Sequence, residues 1–173
     1  MTVDPVIVGI VRFALGWLFL AGGALKLKDM TEFRSVLATY RVLPDRVVGA
    51  GAWCVVIVEI AIGIGALWQY QAAYAGAVAV LLGYAGAMTI NLARGRRFID
   101  CGCGGAAQPL SIGLVLRNVA LAGAAMTALV PATQRPLGWL DVVSMASGVL
   151  VLAMLYAAIN ELLAARARLE EWV

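Results

Sequence analysis

The sequence predicts an all-α, polytopic membrane helix bundle: a four-helix core, a fifth C-terminal span and a short interfacial amphipathic helix. Two observations carry this reading. Hydrophobic residues make up 63% of the 173-residue chain and charged residues 13%, against about 45–50% and about 25% in soluble domains. A chain of this length needs a substantial polar exterior to fold in water, and too few polar residues are present to build one. The apolar residues are also gathered into five stretches, each long enough for the roughly 20 residues of helix that cross a bilayer core. These counts exclude a soluble globule, a disordered chain and a nucleic-acid-binding module, and they leave one membrane domain over residues 1–173.

Taken in order, the spans are expected at Pro5–Leu25, Val48–Trp68, Ala72–Ala93, Ser111–Pro131 and Asp141–Leu163. The first is too long for a cleaved signal peptide and lacks its basic n-region, so it is expected to remain in the mature protein. Small residues recur in the spans, as in Gly9, Gly16, Gly22 and Gly23, and again in Ala79, Gly83 and Ala87. In lipid they let helix backbones approach closely.

Between the first two spans, residues 29–43 read as the amphipathic helix. Phe33, Val36, Leu37, Tyr40 and Leu43 follow helical spacing, with Glu32, Arg34, Ser35, Thr39 and Arg41 on the other face. Asp29 with Glu32 resembles a capping box, and Pro44 supplies a stop. Such a helix can lie in the interface as an anchor or act as a lid over a site.

The basic residues set the expected orientation. Lys26, Lys28, Arg34, Arg41 and Arg46 fall in the first loop, Arg94, Arg96 and Arg97 in the third, and Arg166 and Arg168 in the tail. Five helices place these three segments on one side, and the other side carries only Arg135. The positive-inside rule then puts the C-terminus in the cytoplasm and the N-terminus outside, as in a multi-pass protein of a bacterial plasma (inner) membrane.

The third loop, residues 94–110, holds Asp100-Cys101-Gly102-Cys103-Gly104-Gly105 ahead of the fourth span. Its two cysteines can be inert, bind a metal or cycle between dithiol and disulfide. A metal needs about four ligands, and with no histidine in the chain only Asp100 and the distant Cys54 are at hand. Structural cysteines are usually buried singly in apolar surroundings, whereas these two sit in a polar, glycine-rich loop. A Cys-X-Cys disulfide closes a smaller ring than Cys-X-X-Cys, and a central glycine tolerates the backbone angles this forces. Strain of that kind makes a disulfide labile. The preceding arginines and a nearby helix N-terminus stabilise a thiolate, and Asp100 is placed to shuttle a proton. Redox cycling is therefore the favoured reading.

Polar groups inside membrane spans are functional candidates by default, because burying them in lipid is costly. Counted along each helix, Arg12 and Glu59 fall near mid-membrane, where an ion pair between them is expected. Arg117 and Asn118 lie about two turns into the fourth span, Cys54 about as deep on the second, and Asn91 near the end of the third. Either these residues are structural, or they converge on a pocket beneath the cysteines. Such a pocket would suit a quinone headgroup, whose carbonyls need hydrogen-bond donors; Cys54 would then be filler or a third thiol in a relay.

With these residues in view, the chain resembles the methylamine-utilisation MauE branch of the DoxX-like membrane proteins. The resemblance covers most of the first four spans. It runs through Gly23-Ala-Leu-Lys26-Leu-Lys-Asp29, Phe33, Tyr40, Leu43-Pro44, Glu59 with Gly63, Asn91, Asp100-Cys-Gly-Cys103, Gly105, Ser111 and Arg117-Asn118. The family's motif commonly continues with an aromatic where this chain has Gly104. The resemblance implies a four-helix DoxX-like core and a role in thiol–disulfide chemistry for extracytoplasmic redox proteins, with a thioredoxin-like partner or redox complex. The charge pattern instead places Cys101 and Cys103 on the cytoplasmic side, which requires thiol equivalents to pass through the bundle. The expected function is thiol–disulfide exchange by Cys101 and Cys103, possible quinone coupling included. The alternative is a non-catalytic membrane anchor or assembly subunit of a larger respiratory or dehydrogenase complex. No resident cofactor beyond a quinone is implied, and the other partner is the lipid bilayer.

Overall fold

The computed structural model describes residues 2–96, 99 and 109–170. Among them are six helices, α1 Pro5–Lys28, α2 Met30–Thr39, α3 Asp45–Leu67, α4 Gln71–Ala93, α5 Ile112–Thr127 and α6 Trp139–Glu170. The chain is a membrane-type helix bundle: α1, α3, α4 and α6 are long and apolar enough to cross a bilayer, and α5 is a shorter apolar helix. The fourth expected span, 111–131, is helical over 16 residues only.

Local chemistry sets the helix ends. The Asp4 carboxylate accepts from Val6 N at 2.8 Å, with Pro5 preorganising the first turn of α1. Asp29 leaves the helical region at φ −129°, ψ 71° and closes α1 through its N–H to Leu25 O. Its carboxylate then accepts from Glu32 N at 2.9 Å, so one residue ends α1 and caps α2. After α4 the chain turns at Gly95, whose φ of +75° suits glycine.

α1 packs antiparallel along α3, and the contacts step regularly. Gly16 meets Leu67, Gly63 meets Leu20, Gly23 meets Ile60, and Lys26 pairs with Glu59. Leu37 on α2 then lies beside Gly51, so α2 continues the course of α1 toward the start of α3. Phe33 on α2 is buried with Ala52 and Val56 of α3, while Thr31, Glu32, Arg34 and Ser35 are exposed on its other face. The main core gathers Leu15, Phe19, Ala66, Tyr74, Leu81 and Ala125 from α1, α3, α4 and α5. α6 leans on α1, where Gly9 faces Met145 and Gly148 faces Ile10. No residue in its most apolar window is buried.

The close α1–α3 approach makes Gly63 sensitive. A Cβ there would stand 2.7 Å from Leu20 Cγ and 3.1 Å from the Leu20 backbone nitrogen. We expect Gly63→Leu to cost about 1–3 kcal/mol through forced separation of the helices, read as a lowered melting temperature in micelles. Gly83→Leu is the control, since a Cβ there meets nothing within 4 Å.

At the end of the bundle that holds the N-terminus, Val3 N donates to Pro131 O at 3.1 Å and Val3 O accepts from Thr133 N at 2.9 Å. Arg135 bridges Asp4 and Asp141 across this seam. Its hydrogen bonds, and then the Val6 N–H, hold the Asp4 carboxyl below its ordinary range. The single basic residue expected on this side is thus taken up in a clasp joining the N-terminus to the α5–α6 connection.

Candidate functional site

The polar residues picked out from the sequence do not converge on one pocket, and Glu59 and Arg117 hold partners that depth counting missed.

Glu59 pairs with Lys26, not with Arg12. Lys26 Nζ donates to both carboxylate oxygens at 2.8 and 2.9 Å, and Tyr84 Oη donates to Oε1 at 2.6 Å. Lys26 is only 5% exposed and Glu59 3%. The ammonium also lies 5.6 Å from the ring centroids of Phe33 and Tyr84, a cation–π geometry. Lys26 therefore belongs to the bundle interior rather than the first loop. Arg12 is fourteen residues earlier on α1, about 21 Å along the axis at the usual helical rise. It is half-buried beside Val11, its guanidinium is 4.8 Å from the Phe13 ring centroid, and Nε has no hydrogen-bond partner among the described residues.

Asn91 is fully buried and joins three segments. Its Nδ2 donates to Tyr40 O at 3.1 Å and to Ala87 O at 3.0 Å, while Arg96 donates to its Oδ1 at 3.4 Å and to Thr39 O at 3.0 Å. It locks the end of α2 to the end of α4.

Arg117 and Asn118 face opposite neighbours. Asn118 is buried toward α4, donating to Leu114 O at 2.9 Å and approaching Met88 Sδ at 3.9 Å. Arg117 turns to α6, donates to Asn160 Oδ1 and lies 5.4 Å from the Tyr156 ring centroid. Tyr156 and Asn160, four residues apart in a largely apolar span, were legible as one helix face. Cys54 is exposed on the outer side of α3 with Trp53, Ile57 and Val58, directed away from every group above.

Asp100, Cys101 and Cys103 lie outside the described residues, but the base of their loop does not. Leu110 N donates to Ile99 O at 3.1 Å, pinching the segment closed. Leu110 is buried with Tyr40, Met88 and Leu114, and Val36, Ile99 and Leu163 pack around them. Leu110 and Ile99, the described residues that flank the cysteines, thus pack against α2, α4, α5 and α6. Ser111, at the N-cap of α5, makes no side-chain capping bond.

A bundle with four helices long and apolar enough to cross a bilayer fits a multi-pass membrane protein. The family model described as "Methylamine utilisation protein MauE" matches residues 4–131. The chain belongs to that family. It is 39% identical over 128 residues to the methylamine utilization protein MauE of Paracoccus denitrificans, covering 72% of this chain and 69% of the relative. To the protein of the same name from Paracoccus versutus it is 37% identical over 159 residues, 88% of this chain and 83% of the relative. To that of Methylorubrum extorquens it is 35% identical over 161 residues, covering 90% and 81%. No solved structure matches the chain.

Proposed function

We propose that this MauE-family protein is a plasma-membrane thiol–disulfide exchange protein whose redox pair is Cys101 and Cys103. The observation that carries the reading is the seat of the Asp-Cys-Gly-Cys loop. The residues that flank it, Ile99 and Leu110, are joined by a backbone hydrogen bond, and Leu110 is buried against Tyr40 and Leu114. The N-cap of α5, eight residues after Cys103 in sequence, supports the reading, because helix N-terminal N–H groups favour a thiolate.

In exchange, one thiolate attacks a disulfide of a thioredoxin-like partner. The second cysteine resolves the mixed disulfide, and the partner leaves as a dithiol. That step leaves Cys101 and Cys103 as a disulfide, which a two-electron donor in the membrane, for which a quinol is suited, returns to the dithiol. Run in reverse, exchange oxidises the partner and leaves the dithiol, which a quinone oxidises back to the disulfide. The relatives' shared name places them in methylamine utilisation, which supports a role in maturing the redox proteins of such a system. The charge bias supports a cytoplasmic C-terminus and an outside N-terminus.

The test is Cys101→Ser/Cys103→Ser in a host lacking its own MauE. The double variant is expected to insert normally yet fail to restore growth on methylamine, while maleimide trapping of the unmodified protein finds both thiol and disulfide forms. A pair never found oxidised, together with full growth of the double serine variant, would sink the proposal and favour a non-catalytic assembly subunit. Adding the maleimide from one side of sealed vesicles reads the orientation directly.

A further inference from the structure

Between α1, α5 and α6 lies a cavity of about 370 Å³ lined almost wholly by apolar groups, among them Ala14, Leu18, Leu121, Ala124, Ala153 and Tyr156. Small-molecule sites begin near this size. The small side chains make the slot: alanines on all three helices leave room that leucines would fill.

The slot has a polar end. Leu121 and Ala124 share a face of α5 with Arg117, one turn further on, and Ala153 and Tyr156 share a face of α6 with Asn160. Arg117 and Asn160 are hydrogen-bonded to each other there, with the guanidinium against the Tyr156 ring that lines the slot. We infer that this slot binds an isoprenoid quinone, its ring held beside Tyr156 and one carbonyl taking the Arg117 hydrogen bond that Asn160 Oδ1 holds in this structure.

Depth decides between a quinone and a phospholipid. Arg117 stands six residues inside Ser111, about 9 Å along α5 at the usual rise. Asn160 likewise stands six residues before Arg166. A phosphate head at that depth would carry its charge into the hydrocarbon at high cost, whereas an uncharged quinone ring enters readily and offers acceptors to a donor already paid for by the protein.

The purpose of the site rests on the thiol–disulfide reading; the binding does not. When the Cys101 and Cys103 thiols are oxidised, an S–S bond forms and two electrons and two protons leave. A quinone takes up both pairs to become the quinol, which balances the step.

The experiment uses the full chain in lipid nanodiscs with a photoreactive azido-quinone. Labelling is expected to be saturable, to fall on the α6 segment around Tyr156, and to be competed by a short-chain ubiquinone but not by added phosphatidylglycerol. Ala153→Trp, which fills the slot, should remove labelling at least tenfold; Ala124→Leu does so from α5 should the first variant fail to fold. Arg117→Leu should weaken quinone competition by roughly tenfold to a hundredfold, as loss of a charged hydrogen bond does. Cys101→Ser/Cys103→Ser should label like the unmodified protein. Non-saturable labelling, labelling indifferent to both filling variants, or equal competition by phosphatidylglycerol would overturn the inference while leaving thiol exchange untouched. Saturable labelling in a protein whose cysteines never cycle would uphold the site and remove the thiol–disulfide reading alone.

Discussion

Glu59→Gln is expected to destabilise the bundle by about 3–5 kcal/mol, because it leaves the Lys26 ammonium buried with no counter-ion. The environment makes the loss large. Lys26 and Glu59 are both under 6% exposed, and the ammonium lies 5.6 Å from the ring centroids of Phe33 and Tyr84. Glutamine keeps the shape and can still meet Tyr84, so the deficit is one of charge rather than volume. Lys26→Met should cost about as much, since it strands the carboxylate instead. The double variant Lys26→Met/Glu59→Gln removes both charges and should recover most of the loss, as replacing a whole buried pair is often neutral. Unfolding in mixed micelles measures all three. Additive single losses in the double variant would show that the two residues are not coupled, and the ion pair would be rejected. The position of the pair gives it a local task as well. It sits one turn before Asp29, where α1 breaks into α2, so it fixes the course on which α2 continues.

The fold was legible in composition and the site only in part, and the reasons are physical. Long apolar runs demand helices wherever they lie in a bilayer, so α1, α3, α4 and α6 could be read without tertiary information. Asp29 was legible as a cap because capping is a matter of four consecutive residues. Lys26 was not, because an apolar run ending in Lys-Leu-Lys reads as a span with basic flanks. Only the companion helix shows that α1 stops within the bundle and that its last turn faces Glu59. The expected Arg12–Glu59 pair failed for a related reason: depth was counted along each helix separately. The register of Gly16 on Leu67 shows that Arg12 lies beyond the end of α3, so equal counts did not mean equal depths. The pairing of Arg117 with Asn160 joins two spans whose relative rotation is set by packing, at Gly113 against Leu163, which no single-helix pattern encodes.

Asn91→Ala is expected to release the end of α2 and slow thiol exchange while leaving the quinone slot intact. The side chain is fully buried and is the donor to the Tyr40 carbonyl, one of the terminal carbonyls that a helix cannot satisfy internally. It is also the acceptor that steadies Arg96, whose other bond goes to Thr39 O. Alanine removes the donor and the acceptor together and leaves buried polar groups short of a partner, at about 1–3 kcal/mol. Tyr40 packs against Leu110, and Leu110 N closes the base of the cysteine loop on Ile99 O, so slack at Tyr40 reaches the loop through one contact. Amide exchange at Leu110 and at the end of α2 should speed up, and the rate of disulfide exchange should fall with the cysteines still fully reactive to maleimide. Azido-quinone labelling should be unchanged, because Arg117 faces α6 on the other side of α5. Unaltered protection at both amides would mean that α2 is held by its apolar face alone, and Asn91 would lose the positioning role given to it here.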